Sequence, residues 1–145
     1  LLTFTREHRF NYFEEAQNTL QLVQSIPYVT DHVSLGVPEY WRFPIETLFD
    51  NQGDCDCKAI LAAALFRSMG LRSVVLLSPV EGHAAVAVEG APDYPGNQYF
   101  EWAGGRYFFC ETTDGTFGFT VGEVPPNVNL QDYTVRVEIH AAAIA

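Results

Sequence analysis

Apolar positions along this chain change their period once, and the change divides a helical front from a stranded back. Between Leu1 and Ser25, Phe13, Ala16, Leu20 and Val23 recur at three- and four-residue steps, with Phe10 and Leu22 beside them. That spacing predicts a helix, and Pro27 stops it. Tyr28 to Tyr40 has no period and contains Gly36 and Pro38, so it reads as a loop. Pro44 then opens a short helical turn, with Glu46 in its first turn and Leu48-Phe49 as its apolar anchor.

The stretch "GDCDCKAILAAALFRSMG" (Gly53 to Gly70) is the clearest helix. Asp54 can cap it, acids in its first turn suit the dipole, and Gly70 is placed to end it. From Ala59 to Phe66 it is apolar on every side, which predicts burial nearly all round. After Gly70 the pattern becomes β-branched. "RSVVLLS" (Arg72 to Ser78), "HAAVAVE" (His83 to Glu89) and "YTVRVEI" (Tyr133 to Ile139) read as strands. Gln98 to Glu111 reads as a hairpin turning at Gly104-Gly105. Thr112 to Asp132 reads mostly as loop. Helices followed by a run of mainly antiparallel strands predict an α+β domain, with a central helix packed on a sheet.

At 145 residues and 48% hydrophobic content, residues 1–145 suit one domain with a real core. No apolar run is long enough for a transmembrane helix. The start, Leu1-Leu2-Thr3-Phe4, has no Met and no charged leader region, so the expectation is a piece of a longer chain. Any membrane association would come through parts outside it. The formal net charge of -10 repels phosphate backbones and argues against nucleic-acid binding. Oligomeric state is not legible. The three cysteines, Cys55, Cys57 and Cys110, do not form a disulfide framework, and a Cys55–Cys57 bridge would close a small strained ring.

Cys55 falls in the first turn of the buried helix, where backbone N–H groups lack partners and the dipole favours an anion. A thiol there has a reason to ionise, although Asp54 and Asp56 oppose a thiolate, so an imidazolium would have to help. Of four histidines, His8 is in a charged run, His32 in a loop and His140 near the chain end. His83 starts a strand and shares its face with Ala85 and Ala87, whose small side chains leave room for a cleft or for helix packing. Glu111 ends the hairpin and could accept the other imidazole N–H. Cys110 alternates to the opposite face from Glu111. Against this stand an inert buried cysteine, a structural histidine and a solvated strand-end acid.

The segments "FPIETL", "GDCDCKAILAAALFRSMG", "GHAAVAV" and "YFFCETTDG", in that order, resemble the transglutaminase-like (papain-like) cysteine enzyme superfamily, and most of all its bacterial and archaeal members. The resemblance covers roughly Pro44 to Gly115. It implies a helix bearing the nucleophile Cys55, packed on an antiparallel sheet bearing the base His83 and the orienting acid Glu111. Cys57 stands where relatives often carry an acid. About 200° of helix rotation should keep it out of the Cys55 cleft. Glu111 replaces the Asp of many relatives.

The implied chemistry is thiol-dependent acyl transfer on a protein or peptide substrate. Hydrolysis is favoured, since water is always present, and transglutamination is open. Tyr40 and Trp41 are candidates to line the cleft. No cofactor is required. Some periplasmic relatives bind calcium through acids flanking the nucleophile, which puts Asp54 and Asp56 in view, although caps and dipole partners are the commoner use of such acids. Many relatives belong to longer anchored chains outside the cytoplasm, so the resemblance leans that way. Two other readings compete. One is a non-catalytic interaction module on the same fold. The other is a zinc site of Cys55, Cys57, Cys110 and His83, which C-x-C spacing suits badly.

Overall fold

The computed structural model describes residues 12–29, 44–50, 52–90, 94, 98–113, 118–126 and 128–138. The expected features at Leu1–Asn11, the loop after Thr30 and the chain end, with His8, His32, Tyr40, Trp41 and His140, lie outside these. Three helices come first: α1 (Tyr12–Gln24), α2 (Pro44–Asp50) and α3 (Cys55–Ser68). Five strands follow: β1 (Ser73–Ser78), β2 (His83–Gly90), β3 (Tyr99–Trp102), β4 (Gly105–Cys110) and β5 (Thr134–Glu138). They form one antiparallel sheet in the order β3-β4-β2-β1-β5. This is the expected α+β architecture.

α3 is the pillar of the fold. Asp54 caps it by accepting a hydrogen bond from the Cys57 N–H at 3.1 Å, and Gly70 leaves it at φ +83°. Ala59, Leu61, Ala62, Ala63, Ala64 and Phe66 are buried, as the all-round apolar run requires. The helix lies on one sheet face, against Ala84, Val86, Val88, Phe108 and Cys110. α1 adds Ala16, Leu20 and Val23 to the same layer. The other sheet face carries a second apolar cluster, built from Val74, Leu76, Ala85, Ala87, Tyr107, Phe109 and Tyr133. Helix packing therefore uses the even positions of β2. Ala85 and Ala87, the residues that share His83's parity, face away from α3.

Two local expectations are corrected. Leu48 and Phe49 do not anchor α2, because they are 43% and 87% exposed, and Thr47 is the residue turned inward. A helix of seven residues has one buried side, and here Thr47 occupies it beside Gly53 of the next segment. The hairpin turns at Ala103-Gly104, not Gly104-Gly105, with Trp102 paired to Gly105. Ala103 and Gly104 both take positive φ, 49° and 79°, as a two-residue hairpin turn of this hand requires. Gly105 belongs to the strand, where a Cβ would run into the Glu89 carboxylate.

Candidate active site

The pairing register gathers the chemistry at one end of the sheet. β2 begins with His83, opposite Ser78 at the end of β1. β4 ends at Cys110, opposite Val86, which delivers Glu111 just beyond the strand toward the start of β2. The N-terminus of α3 lies over the same end and brings Cys55, so elements far apart in sequence supply the three side chains. Cys55 is partly exposed, while Glu111 is buried.

His83 Nε2 lies 2.9 Å and 3.0 Å from the two oxygens of Glu111. Glu111 Oε1 also accepts from the Thr113 N–H at 3.2 Å and the Thr113 hydroxyl at 2.9 Å, so its carboxylate is held from both sides. With Nε2 on Glu111, Nδ1 is the ring nitrogen left for Cys55, whose Sγ donates to Asp56 Oδ1 at 3.9 Å. Burial by itself would lower the His83 pKa. Hydrogen bonds to Cys55 and Glu111, and the negative charge on both, outweigh it and lift the ring to about 10. Burial would raise Glu111, but the His83 hydrogen bond and charge, with both Thr113 donors, hold its carboxyl below the usual carboxylate range. His83 and Glu111 are thus an imidazolium–carboxylate pair at neutral pH.

The other two cysteines are elsewhere. Cys57 is wholly buried and packs against Gly53. Cys110 is buried in the layer between sheet and helix, where burial pushes its thiol above the ordinary range. None of the three is in a disulfide. Among the described residues, no group of three or more His, Cys, Asp or Glu side chains is arranged to hold a metal ion. The Cys3His zinc arrangement is therefore not formed by these four residues.

One neighbour was invisible in the sequence pattern. Tyr133 stands edge-on to the His83 ring, with centroids 6.4 Å apart, and its hydroxyl donates to Glu81 at 3.0 Å. Burial, that Glu81 bond and the surrounding negative charges keep its phenol protonated. Nothing in its position before β5 signals a place beside His83. Thr113 did have a signal, since it closes the "ETT" run, and the structure shows what it does there.

No family model and no curated protein matches the sequence. Among solved structures, LapG of Legionella pneumophila matches with a TM-score of 0.53 in both its calcium-bound form and another form. The identities are 16% and 17%, and each match covers 92% of this chain and 67% of LapG. The chain has a transglutaminase-like fold. The expected helix-borne Cys55 on an antiparallel sheet is thus the observed architecture.

Proposed function

We propose that this domain is a thiol-dependent acyl-transfer enzyme acting on peptide bonds, with Cys55 as nucleophile, His83 as acid and base, and Glu111 as the orienting acid. The observation that supports it best is the position of His83, hydrogen-bonded to the buried Glu111 carboxylate through Nε2 and near enough to Cys55 for the two to act on each other electrostatically. The likeness to LapG supports protease chemistry at the same coarse level.

In the reacting form the Cys55 proton already rests on His83 Nδ1, and the thiolate attacks the substrate carbonyl carbon. Glu111 accepts the His83 Nε2–H, fixes the tautomer and stabilises the cation. The first-turn N–H of Cys55, which has no acceptor within the helix, is aimed at the developing oxyanion. When the intermediate collapses, the C–N bond breaks and His83 gives its proton to the leaving amine. A thioester to Cys55 remains. Water then adds to its carbonyl carbon, giving one proton to His83. The C–S bond breaks, the acid leaves, and His83 keeps the proton beside the restored thiolate. A primary amine in place of water would give transglutamination.

Calcium is held in one LapG structure. Here Asp54 Oδ1 is engaged in capping α3.

Alkylation by iodoacetamide tests the reading. At pH 7 the label should fall on Cys55 ahead of Cys57 and Cys110, and His83→Ala should slow it at least tenfold. If Cys55 reacts at the rate of a free thiol and ignores His83→Ala, the domain is a non-catalytic module on this fold.

A further inference from the structure

Lys58 is the only lysine in the chain, and it is wholly buried. Burying an ammonium is costly unless it is fully bonded, and a Met would fill similar space without that cost. Its partners are backbone carbonyls at the end of α1. Lys58 Nζ donates to the Ile26 carbonyl at 2.7 Å and to the Gln24 carbonyl at 3.4 Å. These lie at the C-terminal end of α1, where carbonyls lack helical partners and the dipole is negative.

Gln24 continues the connection. Its Nε2 donates to the Glu111 backbone carbonyl at 2.9 Å and to the Phe119 carbonyl at 2.8 Å. Lys58 also follows Cys55 by three residues, so both side chains leave the same side of α3. The bonds close a ring. Cys55 and Lys58 share a helix, Lys58 grips Gln24, Gln24 grips the Glu111 backbone, and the Glu111 carboxylate holds His83 against Cys55. The negative charge of Glu111 offsets part of the burial effect that draws Lys58 down to about 8.

We infer that Lys58 is a positioning residue. Its bond to Gln24 sets the Cys55 helix and the Glu111 backbone at one separation, so that His83 can reach both. This rests on the acyl-transfer reading of Cys55, His83 and Glu111. Lys58 touches no reacting atom. The second bond of Gln24, to Phe119, fastens the segment that follows Glu111 to the same anchor.

Two variants test it. Lys58→Met removes the donors and keeps the length of the side chain. Gln24→Leu leaves the carbonyl that Lys58 binds and cuts the bond to Glu111. The readouts are the rate at which iodoacetamide labels Cys55 at pH 7, the NMR resonance of the His83 Nε2–H, and far-ultraviolet circular dichroism. Each folded variant should label at least tenfold more slowly and should shift or broaden the His83 resonance. Because both act through one connection, the double variant should label no more slowly than Lys58→Met alone.

If both singles keep the wild-type rate and resonance, the inference is overturned. A slowed rate with an unmoved His83 resonance also overturns it, since the effect would then not reach Glu111. Should Lys58→Met fail to fold, Gln24→Leu decides by the same readouts. A wild-type Cys55 that reacts as an ordinary thiol and ignores His83→Ala would sink the acyl-transfer reading itself. A fast, His83-dependent wild type with equally fast variants would sink only the role of Lys58.

Discussion

Glu111→Gln removes one charge from the site and little volume. The His83 side chain is 22% exposed, so its interactions are only partly screened by water. Its rise from 6.5 to about 10 corresponds, at about 1.36 kcal/mol per pH unit, to roughly 5 kcal/mol in favour of the imidazolium. Glu111 and Cys55 each supply one hydrogen bond and one charge to that rise. Burial opposes that rise, so the favourable effects of Glu111 and Cys55 together exceed it, and Glu111 carries a large part of them. Two measurements follow. The His83 ring, titrated by NMR, should move its midpoint well down from about 10. Iodoacetamide labelling of Cys55 at pH 6 should slow by about 10- to 100-fold, because the imidazolium that supports the thiolate has lost its carboxylate. Near pH 10 the two proteins should label at similar rates, since ordinary thiols ionise there unaided. Convergence at high pH also separates a lost charge from a damaged fold. A Glu111→Gln protein that keeps the wild-type midpoint and the wild-type rate at pH 6 would refute the assigned role of Glu111.

Asp54→Ala removes the cap of α3 and should cost about 1 kcal/mol, lowering the melting temperature by roughly 2 to 4 °C, read by thermal denaturation. The His83–Glu111 pair makes stability depend on pH, and urea titrations at fixed pH should show it. The folded state raises His83, so that contribution is complete below 6.5 and fades as pH rises through about 10. The folded state lowers Glu111, so its contribution is present above 4.5 and is lost as pH falls through the depressed value. The pair therefore stabilises most between 4.5 and 6.5. Lys58 works in the opposite direction, since burial lowers it from 10.5 to about 8 and stability gains as pH rises across that window. His83→Ala should remove the alkaline fall and leave the Lys58 rise visible.

Local chemistry made much of this molecule legible in its sequence. The cap at Asp54, the end at Gly70 and the apolar run from Ala59 to Phe66 each act within a turn or two, so α3 could be read almost residue by residue. Cys55 at its start followed from the same reading, and the alternation of β1, β2 and β4 placed His83 and Glu111 at strand ends. Where two local solutions compete, the reading was weaker. Leu48 and Phe49 looked like an anchor by hydrophobicity, but a seven-residue helix buries one side and Thr47 has it. The hairpin slipped by one residue because close approach of Glu89, from a neighbouring strand, reserves Gly105 for the ladder.

What only the tertiary structure decided is which distant groups meet. The β2–β4 register determines that Glu111 reaches Nε2 and leaves the other ring nitrogen to Cys55. The crossing of β5 to the far edge brings Tyr133 beside His83. Packing of α1 on α3 turns Lys58 from a polar residue near a helix start into a buried cation bridging two segments. Periodicity and capping are short-range preferences, and they say what each segment becomes. Contacts across dozens of residues are chosen by the burial of whole faces, so the sequence pointed to the three candidate side chains and the fold determined how they are held together.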